Sequence, residues 1–221
     1  MNFKQSLFAV GAAGILAVSA LTVVPAQADK SQKPGTPATP GTPAPAPDFN
    51  GEYAMDVSHA HIGFTVKHMV ISTTHGRFRD FGGTINFDAK DIAKSSVNVT
   101  IKAASIDTDI PARDKHLKGA DFFDVEKFPE ITFKSTSVKK SGKGLIVNGD
   151  FTMHGVTKPI SIPFTVAGPI ASRGKAVLGI SGKVQINRQD YGVSWNRKLD
   201  NGGLAVSDLV DITLDFEAVK K

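Results

Sequence analysis

From about residue 60 to the C-terminus, apolar and polar side chains alternate with a period of two. Ile62, Phe64 and Val66 fall on one side of an extended chain, and His61, Thr65 and Lys67 on the other. The pattern returns at Ile85 and Phe87, at Val97, Val99 and Ile101, and at Ile131 and Phe133. It continues at Leu145, Val147, Phe151 and Met153, then at Ile160, Ile162, Phe164 and Val166. Ala176, Leu178, Ile180, Val184 and Ile186 follow, and Val206, Val210, Ile212, Leu214 and Phe216 close the chain. A segment with this period buries one face and wets the other. About eight such segments, separated by Gly, Asn, Asp and Ser, predict an antiparallel sheet closed into a barrel or folded as a sandwich. No Ala/Leu-rich amphipathic helix is present to build a parallel βαβ fold.

One stretch, Asp107 to Pro129, breaks the alternation. Pro111 suits the first turn of a short helix and Gly119 its stop. Asp121 is placed to cap a second short turn ending before Pro129. The insertion carries Phe122, Phe123 and Phe128, and an apolar helical piece beside a barrel plugs one end or packs on the wall. Phe81, Phe122 and Phe123 are the candidates for closing that end.

The N-terminus does not belong to this pattern. Lys4 precedes an uncharged, mostly apolar run from Ser6 to Val24, then Pro25 and Ala26-Gln27-Ala28. This predicts a secretory signal peptide over 1–28, cleaved after Ala28, and a periplasmic or secreted location; the run is near the length of a membrane span, so the alternative is an uncleaved anchor. Residues 29–49, with proline at every third position from Pro34 to Pro43, have no long apolar side chains to build a core and predict a semi-rigid linker. Residues 50–221 remain as one domain, with 23 basic and 19 acidic residues against a whole-chain net charge of +5. The chain has no cysteine, which excludes disulfides, a thiol nucleophile, thiolate metal sites and S-lipidation.

The polar residues give little ground for catalysis. His59 and His61 form an H-x-H pair with His68 and His75 downstream, but no carboxylate or third histidine completes a metal site at sequence spacing. These are read as surface histidines, and no metal is expected. There is no G-x-S-x-G elbow; the nearest glycine-bounded serine, in Gly179-Ile180-Ser181-Gly182, lies within a strand pattern. Phosphate-binding and dinucleotide fingerprints are absent. Arg113, Asp114, Lys115 and His116 form a dense polar run: a solvated helix face, or at a barrel mouth a grip for an anionic head group. The positive charge is dispersed and not interleaved with aromatics, which argues against nucleic acid and allows only weak, salt-sensitive association with anionic membrane surfaces.

An eight-stranded barrel either fills its centre with side chains or holds a small ligand, and periodicity alone does not decide between them. The aromatic content is 14 Phe against 2 Tyr and 1 Trp, so the interior is apolar with few polar handles.

Several segments together are specific. Asp56-Val57-Ser58-His59 leads to Gly63-Phe64-Thr65-Val66-Lys67-His68 and Gly76-Arg77-Phe78. Ser105-Ile106-Asp107-Thr108, Arg113-Asp114-Lys115-His116-Leu117 and Asp121-Phe122-Phe123-Asp124 follow. Phe128-Pro129-Glu130-Ile131-Thr132-Phe133, His154-Gly155-Val156-Thr157-Lys158-Pro159 and Arg188-Gln189-Asp190-Tyr191-Gly192-Val193-Ser194-Trp195 complete the set. In this order the domain resembles the YceI-like family of bacterial exported proteins, from about Tyr53 to Ala218. Val57 stands where that family often has proline, and His61 where serine is common. The resemblance implies an all-β fold, an extended antiparallel lipocalin-like eight-stranded β-barrel with a short helical insertion. It also implies a hydrophobic pore that binds polyisoprenoids or related long-chain amphiphiles, with roles in isoprenoid quinone transport or storage and in stress response. It carries over no catalytic residue.

On this reading Phe64, Val66, Phe81, Ile85, Phe87, Val99, Ile101, Phe133, Phe151, Phe164, Val166, Leu178, Ile180, Ile186 and Trp195 line the site. Arg113, His116 and Arg188 are the head-group candidates. The expected ligand is an isoprenoid or quinone-type lipid, with no other cofactor, held by a monomer or homodimer. The competing readings are a lipid-modifying enzyme acting through the polar mouth cluster, and a structural or adhesive domain with a filled barrel.

Overall fold

One long strand organises the barrel by serving two partners on the same edge. The structure, a computed structural model, describes residues 48–200 and 202–221. The expected signal segment, and all of the linker but its last two residues, therefore lie outside the described residues. Strand β1 (Gly51–His68) pairs along its first residues with β3 (Phe81–Phe87), Tyr53 opposite Ile85. Along its second half it pairs with β2 (Ser72–Phe78), Ile62 opposite Phe78 and Phe64 opposite Gly76. Its other edge meets the last strand, β10 (Val206–Lys220), from Tyr53–Lys220 to His68–Val206. That pairing closes the sheet, so no edge is left in the main ring.

From β3 the ring continues antiparallel through β4 (Ser96–Lys102), β6 (Glu130–Ser141), β7 (Gly144–Met153), β8 (Val156–Ser172) and β9 (Lys175–Asn187) to β10. Eight strands make the ring, as expected. The short β2, with the two-residue β5 (Ile106–Asp107) beside it, extends the wall at one end. The sandwich alternative is excluded by the β1–β10 pairing.

Helix α1 (Pro111–Lys118) begins at the proline and is capped by Gly119, as the sequence predicts. The second expected turn does not form a helix. Asp121 gives its carboxylate to the His116 ring (2.8 Å) instead of capping, and residues 120–127 are turns knitted by bonds such as Phe123 N–H to Leu117 O (3.0 Å).

Two ends can be distinguished. At one lie the β1–β2 turn, α1 with its following turns, the β7–β8 turn and the loop 188–205; call it the mouth. At the other lie the β6–β7 and β8–β9 turns and the chain around Asn50 and Lys220. Tyr53 and Ala218, both fully covered, and Leu178 at 1% exposure are buried toward this far end.

Candidate functional site

The alternation puts one apolar side chain per pleat into the barrel, and toward the mouth these side chains do not meet. They enclose a cavity of ≈ 150 Å³. It reaches from Met55 and Phe216 to Val66 and Val206, and its wall is aliphatic and phenyl except for Arg188. Leu117, Phe122 and Phe123, from α1 and the turns after it, cover it at the mouth. Phe123 packs edge-on against Phe78 with centroids 5.9 Å apart, and Phe78 touches Phe64 at the same distance.

Three wall phenylalanines have a glycine as their seat on the neighbouring strand. A Cβ added at Gly76 would stand 2.2 Å from Phe64 Cζ, one at Gly182 2.5 Å from Phe164 Cδ1, and one at Gly149 2.6 Å from Phe133 Cζ. A ring that lies over a missing side chain occupies the wall and leaves the lumen open.

Eight of the fifteen expected lining residues stand on this wall: Phe64, Val66, Val99, Ile101, Phe133, Phe151, Phe164 and Ile186. The other seven do not. Ile85, Phe87, Val166, Leu178 and Ile180 are on the barrel's apolar side but lie toward the far end, where side chains fill the space. Phe87, for example, packs edge-on against Tyr53 at 6.1 Å. Phe81, expected to help close the mouth, packs partly buried on the core and off the cavity, whereas Phe122 and Phe123 do close it. Trp195 belongs to the mouth: its ring lies 5.2 Å from both Phe122 and His116.

The head-group candidates separate in the same way. Arg113 bonds the Thr108 hydroxyl (2.7 Å) and carbonyl (2.8 Å), fixing the entry to α1. Arg188 is 4% exposed, and its guanidinium donates to the carbonyls of Val193 (2.6 Å), Trp195 (2.9 Å) and Ser207 (2.9 Å), with longer contacts to Val206 O and the Asp208 carboxylate. Burial pulls its pKa down while Asp208 pulls it up. Its hydrogen atoms tie the 188–208 loop together, so it is a brace, not a free anion grip. His116 remains at the mouth, half-exposed and bonded to Asp121.

His59 and His61 do not form the pair their spacing allows. A bulge in β1 between Asp56 and Ala60 interrupts the strand. His59 Nδ1 lies 3.0 Å from Asp56 Oδ2, and Glu217 is near, the three offering ligand atoms within 4.8 Å of one another. His61 is outside that group, its Nε2 folded over Gly63.

Most of the remaining wall, including Ile62, Ile131, Met153, Ile162, Val184, Ile212 and Leu214, was legible in the alternation without being singled out. Met55, Phe78, Leu117 and Val193 carried no such signal, because they sit beside bulges, turns or helix.

The sequence matches the YceI-like domain family over residues 53–218. It is 40% identical to Protein YceI of Escherichia coli over 164 residues, 74% of this chain and 83% of that one. Among solved structures, BcnA of Burkholderia cenocepacia superposes with a TM-score of 0.66 at 26% identity, over 74% of this chain and 98% of that one. A polyisoprenoid binding domain from Saccharophagus degradans, implicated in plant cell wall breakdown, shares the fold with a TM-score of 0.57 at 13% identity, over 78% and 99% of the two chains.

Proposed function

The chain belongs to the YceI-like domain family, and from that premise we propose that it is a non-enzymatic binding protein whose barrel holds the hydrocarbon part of a polyisoprenoid or similar long-chain amphiphile. The observation that carries this reading is the cavity itself: its wall is apolar throughout except for Arg188, whose donors are already engaged by the loop it braces. Such a wall gives nothing to orient a polar substrate or stabilise a charged intermediate. It does favour hydrocarbon, since burying ~500 Å² of apolar ligand contributes about 12 kcal/mol before the costs of association. The polyisoprenoid binding domain from Saccharophagus degradans has the same fold, which is consistent with that use.

The cavity volume of ≈ 150 Å³ matches, at ~150 Å³, an apolar cavity that takes a single benzene. A chain of several isoprene units needs more. The rings of Phe64, Phe133 and Phe164 already lie back over glycines, so the further room comes from the covering side chains Leu117, Phe122 and Phe123 at the mouth, since side-chain rotation is far cheaper than opening the closed sheet. The polar end of the ligand rests at the mouth near His116 and Trp195. With its N-terminal signal pattern the protein works outside the cytoplasm, carrying, storing or shielding an isoprenoid or quinone-type lipid.

Mass spectrometry of an organic extract of the natively purified protein tests this. A long-chain lipid near one per chain is the expected result. A folded protein that yields no lipid, and takes up none when mixed with polyprenol, overturns it.

A further inference from the structure

Large apolar side chains gather on the surface at one place beside the mouth. Met69, Val70 and Ile71 form the turn between β1 and β2, and Val70 and Ile71 are 73% and 85% exposed. Next to it the chain from Arg197 to Ala205 folds back on itself, Lys198 opposite Leu204, and Leu204 is exposed too. The two tips are joined by a hydrogen bond from Met69 N–H to Ala205 O (2.9 Å). They form one double tip, and both roots are in the cavity wall through Val66 and Val206.

The turn is also strained in a way that folding does not ask for. Met69 and Val70 have φ of 52° and 68°. That region suits Gly or Asn, and a β-branched residue there is an outlier. An exposed valine in a left-handed turn gains nothing from burial to offset its strain, so its use lies outside the fold. The surrounding charge is basic: Lys67, Arg197 and Lys198 are exposed, and among the described residues Asp200 is the exposed acid in the 197–205 turn. An apolar tip flanked by three cations and one acid matches an anionic bilayer surface, where the tip enters the acyl boundary and the cations meet the head groups.

We propose that the Met69–Ile71 and Leu204 tips dock the protein into anionic lipid bilayers and bring the cavity mouth to the membrane, the source and destination of its lipid. The inference rests on the lipid-binding reading for its purpose, but not for its test. Insertion buries two largely exposed aliphatic side chains, and the net positive charge beside them makes binding fall with salt.

The test is flotation of the purified protein with phosphatidylglycerol–phosphatidylethanolamine vesicles and with phosphatidylcholine vesicles. The parent protein is expected to float with the anionic vesicles at low salt. Val70→Asp with Ile71→Asp should weaken this by about tenfold or more, and Arg197→Glu with Lys198→Glu by several-fold. Ile170→Asp, also exposed but at the far end, should leave it unchanged. Val70→Asn separates docking from folding: it relieves the left-handed turn, so it should raise stability while lowering flotation. Equal flotation of parent and tip variants overturns the proposal, as does failure of the parent to float. So does a tip that joins two copies of the chain, seen as dimers lost in the tip variants with flotation intact. Lipid extracted from the same preparations keeps the two readings apart. Tip variants should retain it, whereas a parent that floats but carries no lipid overturns the cavity reading alone.

Discussion

The ring of Phe64 on β1 lies over Gly76, its partner on β2, so closely that a Cβ there would stand 2.2, 2.6 and 2.9 Å from three of its ring atoms. Gly76 is not held in the left-handed region, so the glycine is needed for room rather than for backbone freedom. The cross-strand pair couples sheet register to cavity width: a side chain at 76 and the ring of Phe64 compete for one space.

Gly76→Ala should therefore push the Phe64 ring into the cavity, costing about 1–3 kcal/mol by overpacking and reducing extracted lipid. Adding Phe64→Ala removes the conflict. The two changes should be non-additive by about 0.5–3 kcal/mol in a double-mutant cycle of urea denaturation. Additive effects would mean that the ring does not depend on the glycine.

Arg188 makes a second expectation. A head-group ligand replaced by lysine would keep its charge and change only ligand binding. A brace that holds several carbonyls at once cannot be replaced by an ammonium with three donors on a flexible stem. Arg188→Lys should destabilise the fold by about 2–3 kcal/mol through unsatisfied carbonyls of the 188–208 loop. Chemical denaturation reads this directly; unchanged stability with lost lipid would return Arg188 to the head-group role.

The contrast between these residues explains what the sequence could disclose. Period-two alternation tells which side of a strand a residue faces, and it placed Phe64, Val99, Phe133 and Ile186 on the wall correctly. It carries no information about depth along the barrel axis. That is set by strand tilt and stagger, so Leu178 and Ile85 face inward yet fall in the filled end. A charge in the sequence does not announce its partners either. The donors of Arg188 go to main-chain carbonyls, which every residue offers. Asp121 looked like a cap because capping is a local signal, whereas its bond to His116 depends on how the insertion folds back. The nine segments of the family resemblance did lead to the family, because their order and spacing are specific where each one alone is not.

The two halves of the interior should respond differently to the same kind of change. Leu178 is 1% exposed and surrounded, so Leu178→Ala should cost about 2–5 kcal/mol and leave the lipid content of the folded fraction intact. Leu214→Ala removes a side chain that already borders empty space, so it should cost less and alter which lipids are retained. Thermal or urea unfolding, read beside lipid extraction for each variant, checks this. Equal loss of lipid in both would show that the far end is part of the binding volume.

The β1 bulge supplies an expectation about pH. The Asp56 carboxylate accepts from the His59 ring and from the Ser58 hydroxyl (2.8 Å) and amide (2.9 Å), which hold its pKa at about 2 against an ordinary 3.8. His59 is raised from 6.5, by its bond to Asp56 first and then by the charges of Asp56 and Glu217. A depressed carboxyl stabilises the fold fully above its ordinary value and loses that contribution as pH falls through the folded value; a raised histidine does so below its ordinary value and loses it as pH rises through the folded one. Both contributions are therefore whole only between about pH 4 and 6.5. The pair is exposed, so salt should flatten this optimum. An NMR titration should find the Asp56 carboxyl well below 3.8 and, in His59→Ala, moved back only part of the way, because both Ser58 donors remain. The bulge brings Asp56 opposite Glu217 and then skips to Ala60 opposite Phe216, returning Ile62 and Phe64 to the cavity side. An Asp56 that titrates normally in the parent protein would mean that the backbone alone sets this register.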